Sequence, residues 1–435
     1  MKTELVIDSV PADLDPVSLM EALSVNDGLL FERFDPRTRA RSHTTLVLRW
    51  TRSPGENLRD ALVLASRRAD SDHLLHVIVL GSAGGKGIKL SDRWLADAWF
   101  VAHADESIEI DWETGRLVHR WPAKDVPITQ TLERDIARCS RAATSQSVAR
   151  GDAATTWQPE VDSAEYLARV REVQRGLNER GIHGAVLSLG QTRVTEAPPK
   201  NIYREMVRQN PSTYGYCFRL GNLSLVGSSP LTYLKLDKNN VILETDAGTR
   251  PIAGDAARDE EALRDLQTNP KDAAEHQIVV DAEMQALRPL ALGGHIAKLK
   301  DREVRRFSHV MHLYTVLQAH LKPELEFSDA LVGVFPPAAV SGYPKQEAWA
   351  LGNEIEGGER GPYGGVIGLL RADSNAEFAV IIRSLWMQGN QAAIRTGGKI
   401  VPGSDPSSEH REALAKARFL IESLDRVEQS LASES

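Results

Sequence analysis

The 435-residue chain is poor in cysteine, has no long apolar run and carries no basic excess. Two cysteines, Cys139 and Cys217, are too few for a disulfide framework or a cysteine-based zinc site. No run approaches the about 18 apolar residues of a membrane span, and no apolar segment of signal-peptide length follows Met1. With 52 Lys and Arg against 60 Asp and Glu, the net charge of −8 opposes an electrostatic hold on nucleic acid. These absences predict a soluble, cytoplasmic protein that binds neither nucleic acid nor membrane.

What is present is an ordinary globular composition, with 42% hydrophobic and 26% charged residues. Up to about residue 155, short runs rich in β-branched residues end in turn formers, which predicts a mostly-β part. Beyond it, Asp162 and Glu165 have the spacing of a capping box, and Gly181 closes the helix that they begin. Clusters of strands with helices between the clusters predict an α+β fold. We therefore expect an N-terminal part, 1–155, that completes one fold with a second part, 156–430.

The start of the last long helix carries charges on one face. Ser404 or Asp405 can cap this helix, which begins near residue 406. Glu409, Glu412 and Lys416 follow at positions i, i+3 and i+7, so they share a face that continues into apolar residues. This pattern indicates charges directed toward a cleft, although a solvated helix face with local ion pairs explains it equally well.

A second helix start repeats this arrangement, with Asp272 and Glu275 three residues apart. Four carboxylates from two helix starts can converge on one hard divalent cation, and ligands that are all oxygen favour Mg²⁺. Glycine-rich turns at 360–365 and 396–399 let backbone N–H groups approach an anion, although ordinary tight turns have the same composition. The glycine cluster at 81–87 does not have the spacing of a phosphate-binding loop.

Taken together and in order, a series of segments resembles the chorismate-utilising family, which includes anthranilate, aminodeoxychorismate, isochorismate and salicylate synthases. The resemblance covers about residues 162–425. The matching segments are 210–214 (NPSTY), 227–230 (GSSP), 247–251 (AGTRP), 271–276 (KDAAEH), 308–313 (SHVMHL), 335–336 (FP), 341–345 (SGYPK), 360–365 (RGPYGG), Arg383 and 404–416. The resemblance implies a single large anthranilate-synthase-type fold of two packed antiparallel β-sheets with helices outside. It also implies that residues 156–430 form the part that binds chorismate and carries catalysis.

The resemblance also implies roles for individual residues. Mg²⁺ is expected to hold the ring carboxylate of chorismate through four carboxylates, with Glu275 and Glu412 as principal ligands and Asp272 and Glu409 supporting them. The residues that match substrate-binding positions are Tyr363, Arg383, Gly397, Gly398 and Gly248. The residues that match other active-site positions are His312, Lys416 and Thr249.

Four positions depart from the family pattern. Hydratases of the family have a lysine, and anthranilate synthases a glutamine, where this chain has Gly184. The glutamate that protonates the departing 4-hydroxyl is replaced by Leu231, which transfers no proton. Ala339 replaces a threonine, and Lys399 replaces the last glycine of a Gly-Ala-Gly-Ile segment. Lys399 and His183 are candidate replacement proton-transfer groups, although a structural histidine is an equally good interpretation of His183.

Three functional interpretations follow from these matches and departures. The first is an Mg²⁺-dependent enzyme that adds ammonia or water at C2 of chorismate, with loss of the 4-hydroxyl and possible elimination of pyruvate. The architecture favours water, whereas the missing lysine favours ammonia, which a glutamine amidotransferase subunit could supply. The second is a lyase or rearrangement enzyme acting on a chorismate-derived substrate, and the third is a non-catalytic chorismate-binding protein. The segment around Arg33 lacks the serine motif associated with tryptophan feedback.

Overall fold

The computed structural model describes residues 2–23, 25–52, 61–62, 65, 75–80, 99–123, 125, 127, 131–141, 156–306, 310–357, 360–371 and 375–434. The glycine cluster at 81–87 and the start of the 308–313 segment lie outside these residues. No helix in these ranges is long and apolar enough to cross a membrane.

Strands and helices are interspersed along the chain. The strands are β1 (Lys2–Asp8), β2 (Gly28–Phe34), β3 (Arg41–Arg52), β4 (His76–Leu80), β5 (Trp99–Asp111), β6 (Arg116–Pro122), β7 (Gln158–Pro159), β8 (Gly184–Val194), β9 (Tyr214–Leu220), β10 (Leu223–Ser229), β11 (Thr232–Asp237), β12 (Asn240–Pro251), β13 (Ala297–Arg306), β14 (Val310–His320), β15 (Gly342–Tyr343), β16 (Val366–Leu370), β17 (Ala376–Val380), β18 (Ser384–Gln388) and β19 (Gln391–Ile400). The helices are α1 (Pro16–Ala22), α2 (Leu132–Arg141), α3 (Ser163–Arg180), α4 (Pro199–Gln209), α5 (Ala256–Thr268), α6 (Pro270–Leu287), α7 (Phe327–Gly333), α8 (Ala338–Ser341), α9 (Lys345–Glu356) and α10 (Pro406–Glu434), with a short 3₁₀ helix at Leu292–Gly294.

The ends of the long helices follow local sequence signals. The Asp162 carboxylate accepts a hydrogen bond from the Glu165 amide at the start of α3, and Gly181 ends the helix in the left-handed conformation at φ +64°. At α10 the Asp405 carboxylate accepts from the Ser408 amide at 2.8 Å. These caps confirm the predicted helix starts, because each carboxylate satisfies an amide that has no partner within its helix.

All pairings among the described strands are antiparallel and link them in one continuous network. Strands of the N-terminal part join strands of the C-terminal part: β2 pairs with β9, and β4 pairs with β16. The predicted division at residue 155 falls within 142–155, outside the described residues, and stays a prediction. The pairings make the N-terminal strands part of the same sheet system as the strands that follow.

The core has an inner layer and outer layers. One apolar cluster is built almost wholly from strand residues, among them Phe31, Phe100, Phe218 and Trp386, so strand surfaces pack directly against each other there. A second cluster packs one side of α10, including Leu420, and parts of α1, α2 and α4 against the outer faces of strands. Sheet against sheet with helices outside is the predicted α+β arrangement, and the structure confirms it.

Candidate active site

The ends of β12 and β14 meet at a bulge. Gly248 is an extra residue in β12, because Ala247 lies opposite Leu313 while Thr249 lies opposite His312. Gly248 has φ +77°, in the left-handed region that favours glycine. The bulge brings the Thr249 hydroxyl within 2.9 Å of Nδ1 of His312, which also lies 3.3 Å from the Gly248 carbonyl oxygen. Burial lowers the pKa of His312, so its imidazole favours the neutral form.

This bulge gives a testable expectation for stability. A Cβ on Gly248 would lie 3.2 Å from Oδ1 of Asp272, whereas one on Gly389 (φ +59°) would meet nothing within 4 Å. Gly389→Ala is expected to cost about 1 kcal/mol through backbone strain alone, and Gly248→Ala about 2 kcal/mol through strain and contact. Urea denaturation of both variants measures the difference. Equal losses would show that the contact with Asp272 contributes nothing.

The two carboxylates at the start of α6 have different surroundings. Asp272 is buried and paired with Arg250, whose Nη2 lies 2.6 Å from Oδ2 of Asp272. Glu275 is half-buried, and its charge acts on Lys399 of β19. Of the pair predicted from spacing, Glu275 therefore acts electrostatically on Lys399 and Glu409, while Asp272 is engaged by Arg250, a partner that the sequence does not predict.

The start of α10 faces the end of β19. A Cβ on Gly398 would lie 3.1 Å from Oε2 of Glu409 and 3.4 Å from Oε1 of Glu412, so both carboxylates converge on this glycine. Lys416 forms an ion pair with Glu412 at 2.7 Å and donates to the Gly397 carbonyl oxygen at 2.8 Å. The predicted face of Glu409, Glu412 and Lys416 therefore does meet the glycine-rich end of β19.

The glycines of β19 permit this close packing. On Gly397 a Cβ would lie 2.1 Å from the Leu187 carbonyl oxygen of β8, which excludes any larger residue. Lys399 follows, opposite Val186, and its stem runs beside Gly184, where a Cβ would lie 3.5 Å from Cδ of Lys399. Two of the four departures are thus neighbours, because the missing side chain at 184 leaves room for the lysine at 399. Burial lowers the pKa of Lys399 to about 8, and Glu275 is the largest opposing charge.

Tyr363 and Arg383 come from two neighbouring loops. Tyr363 is buried, and burial raises the pKa of its hydroxyl to about 12, so it remains a hydrogen-bond donor at neutral pH. Arg383 is half-buried, has φ +49°, and its backbone carbonyl accepts from the Ser228 amide at 3.2 Å. Burial lowers the pKa of Arg383, while the charge of Asp246 acts in the opposite direction. An arginine keeps its charge in proteins, so Arg383 remains a cation for an anionic ligand.

A buried ion pair joins the loop that carries Tyr363 to strand β8. Arg360 is fully buried, and its Nε and Nη2 each lie 2.8 Å from an oxygen of Glu356. The same Nη2 donates to the Val186 carbonyl oxygen at 2.7 Å, and Glu356 accepts from the Ser188 amide. A fully satisfied charge pair fixes the geometry of the groups that it joins. Arg360 therefore ties the Tyr363 loop to β8, the strand beside Lys399.

His183 and Leu231 have surroundings unlike those of the other candidate site residues. His183 is exposed and stacks on Tyr343, with ring centroids 5.3 Å apart, which matches the structural interpretation of this histidine. Leu231 is buried in an apolar cluster, as is Tyr233, so its environment is that of a core residue. Of the two candidate proton-transfer groups, Lys399 is the one on which the charge of Glu275 of α6 acts.

The carboxylates of this site fit Mg²⁺ in their chemistry. Within the described ranges, no three His, Cys, Asp or Glu side chains are close enough to hold a metal ion by themselves. Magnesium usually keeps several waters and needs only one or two carboxylates, so a complete protein cage is not required. Burial raises the pKa of Glu409, and the charges of Glu412 and Glu275 add to that increase. Carboxylates that repel one another in this way are stabilised by a divalent cation.

One residue that the sequence reasoning missed is Asp246. It opposes the burial effect at His312, Arg383 and Lys399. The available signal was an aspartate within the predicted strand of β12, since aspartate is depleted in strands.

The fold resembles solved structures of chorismate enzymes. The menaquinone-specific isochorismate synthase MenF of Escherichia coli superposes with a TM-score of 0.77 at 20% identity, covering 98% of this chain and 95% of that chain. Anthranilate synthase component I of Streptococcus pneumoniae gives a TM-score of 0.71 at 20% identity, covering 96% and 92%. At these identities the likeness establishes the fold.

Sequence comparison establishes the family. Anthranilate synthase component 1 3 of Haloarcula marismortui is 30% identical over 332 residues, 75% of this chain and 65% of that protein. Anthranilate synthase component 1 of Streptomyces coelicolor is 33% identical over 273 residues, 62% of this chain and 53% of that protein. The chain spans less than two-thirds of the length of these curated relatives. Residues 84–422 match the chorismate binding enzyme family, and the chain belongs to that family.

Proposed function

We propose that this chain is an Mg²⁺-dependent enzyme that adds ammonia or water at C2 of chorismate with loss of the 4-hydroxyl, with possible elimination of pyruvate. The observation that carries the proposal is the convergence of Glu409 and Glu412 on Gly398, next to Lys399. Chorismate is a dianion, so a site for it needs cations and a metal in a chain whose net charge is negative. Arg383, Lys416 and the carboxylate-bound metal meet that need locally.

The residues divide into metal-holding and substrate-holding groups. Glu275 and Glu412 would be the principal Mg²⁺ ligands, with Glu409 and Asp272 supporting them directly or through water. When bound, the metal neutralises the ring carboxylate and draws electron density from the ring. Arg383 and the backbone of Gly397 and Gly398 bind the pyruvyl carboxylate, and the Tyr363 hydroxyl donates to it. Gly248, Thr249 and His312, at the bulge of β12, would contact the substrate as well, and a neutral imidazole there can donate or accept a hydrogen bond.

Lys399 supplies the proton transfer in this proposal. Its neutral amine takes a proton from ammonium or water, and the freed nucleophile forms a bond to C2. The two ring double bonds each shift by one position and the C4–O bond breaks. The Lys399 ammonium returns the proton to the departing hydroxide, which leaves as water. A lysine with a pKa of about 8 exists in both forms near neutral pH, as this double role requires.

A second candidate function is a pyruvate-eliminating or rearranging enzyme on a chorismate-derived substrate. The buried, apolar Leu231 favours it, because a pericyclic step needs no acid at that position. A glutamine amidotransferase partner belongs to the first proposal only. It is supported by relatives that are named component 1 of anthranilate synthase.

Incubation with chorismate tests the proposal directly. Purified protein with Mg²⁺ is expected to convert chorismate to an aminated product with ammonium, or to a hydroxylated one without it. Mass spectrometry identifies the products, and parallel samples with EDTA test the metal requirement. Pyruvate release without incorporation of nitrogen or oxygen would favour the second candidate. Unchanged chorismate under every condition, with binding retained, would leave a non-catalytic chorismate-binding protein.

A further inference from the structure

Asp246 lies in β12, opposite Tyr314 and two residues before the glycine of the bulge. In a regular strand, residues three apart face opposite sides of the sheet. Because Gly248 is an extra residue, the alternation is restored, and Asp246 and Thr249 face the same side as Tyr314 and His312. The bulge thus directs the Asp246 carboxylate to the side of the sheet that carries the His312 imidazole.

Asp246 acts electrostatically on basic groups from separate elements. Burial lowers the pKa of His312 and of Arg383, and in both cases Asp246 is the largest opposing charge. Burial also lowers the pKa of Lys399, which Glu275 opposes first and Asp246 next. These groups come from β14, from the loop before β18 and from β19. Asp246 is therefore placed among the residues proposed to bind chorismate.

The carboxylate has no direct partner of its own. Asp246 is half-buried, yet among the described residues it makes no side-chain hydrogen bond and no ion pair within 4 Å. Glu244, two residues earlier on the same face of β12, is paired with Arg305, on which the charge of Asp246 also acts. A carboxylate that has no ion-pair partner can bind a ligand cation through a charge-assisted hydrogen bond.

We propose that Asp246 is the anionic group of an ammonium-binding site, which places the incoming nitrogen beside C2. This inference rests on the proposed function and names its nucleophile. Ammonium is the cationic form of ammonia, whereas water has no charge for a carboxylate to attract. The Thr249 hydroxyl oxygen lies on the same side and is a second acceptor. The bound ammonium then gives its proton to the Lys399 amine, and the nitrogen attacks as described above.

Binding of ammonium decides the inference. Ammonium chloride is titrated calorimetrically into the protein with Mg²⁺ and without chorismate, so that no turnover contributes heat, with potassium chloride as a parallel arm. Asp246→Asn is expected to weaken ammonium binding at least 10-fold, because it removes a charge-assisted hydrogen bond. Asp237→Asn, an exposed position of the neighbouring β11, is the matched control and is expected to bind ammonium normally. Equal ammonium affinity of both variants would overturn the inference, as would potassium binding as tight as ammonium binding.

Turnover separates this inference from the proposed function. With ¹⁵N-ammonium, Asp246→Asn is expected to lower kcat/KM for ammonium at least 10-fold while the Kd for chorismate changes less than about 3-fold. Asp246→Glu, which keeps the charge, is expected to restore most of the loss and shows that the site still folds. A wild-type protein that hydroxylates chorismate and ignores ammonium would overturn the inference but leave the proposed function. If the wild-type protein converts no chorismate, the proposed function is contradicted. The calorimetric titrations then test only whether Asp246 binds ammonium.

Discussion

Glu275→Gln is expected to weaken Mg²⁺ binding by about 100-fold or more and to lower chorismate conversion to a similar degree at limiting Mg²⁺. The substitution keeps the size of the side chain and removes its charge. Glu275 is half-buried, and its charge reaches both Glu409 and Lys399, so it belongs to the carboxylate group that repels itself without a cation. Calorimetric titration with Mg²⁺ in the absence of chorismate measures the loss without depending on turnover.

Two further variants make this test specific. Glu260→Gln changes an exposed glutamate of the adjacent α5 and is expected to leave the Mg²⁺ affinity unchanged. Asp272→Asn is expected to cause a smaller loss than Glu275→Gln, because Arg250 already engages Asp272. Undiminished Mg²⁺ dependence in Glu275→Gln would place the metal elsewhere. A larger loss in Asp272→Asn would mean that Arg250 releases Asp272 when the metal binds.

Local signals predict much of this fold. The caps at Asp162 and Asp405 depend only on neighbouring residues, and both are present. The hairpin of β5 and β6 is also local, with Asp111 opposite Arg116 across a short turn. The cross-chain pairings could not be derived in this way. The pairing of β2 with β9 joins residues almost 200 positions apart, and nothing in either strand alone specifies its partner.

The site was predictable where a helical face or a motif defines it. The spacing of Glu409, Glu412 and Lys416 predicts a shared face, and in the structure that face lies against Gly397 and Gly398. Contacts made through the tertiary fold were not predictable. Lys399 beside Gly184 depends on the register of β8 with β19, and the side that Asp246 faces depends on one extra residue in β12.

Lys399→Met is expected to lower kcat for chorismate conversion by about 10²–10⁴-fold, since it removes a proton-transfer group and keeps a side chain of similar length. The expected loss falls on kcat more than on KM, because the metal and Arg383 still bind the substrate. The double variant Gly184→Lys with Lys399→Gly returns the lysine to the position that it has in hydratases of the family. This variant tests the role of the amine itself. Gly184 lies against the stem of Lys399, so the new side chain enters the space that the old one leaves. Recovery of at least tenfold over Lys399→Met is expected, and a double variant that binds chorismate but recovers nothing would contradict the role.

The same lysine affects stability in a direction that can be calculated. Its pKa is about 8 in the folded chain, against 10.5 for an ordinary lysine, because burial disfavours the charged form. Between about pH 8 and 10.5 the unfolded chain holds the proton more firmly than the folded chain, so the free energy of unfolding rises with pH in that window. Below about pH 8 the cost of the buried charge is fully present. At pH 7 the free energy of unfolding of Lys399→Met is therefore expected to be about 2 kcal/mol higher than that of the wild type. This difference is expected to narrow toward pH 10. Urea denaturation at both pH values measures it, and a variant less stable than the wild type at pH 7 would show that Lys399 is held by a partner strong enough to offset its burial.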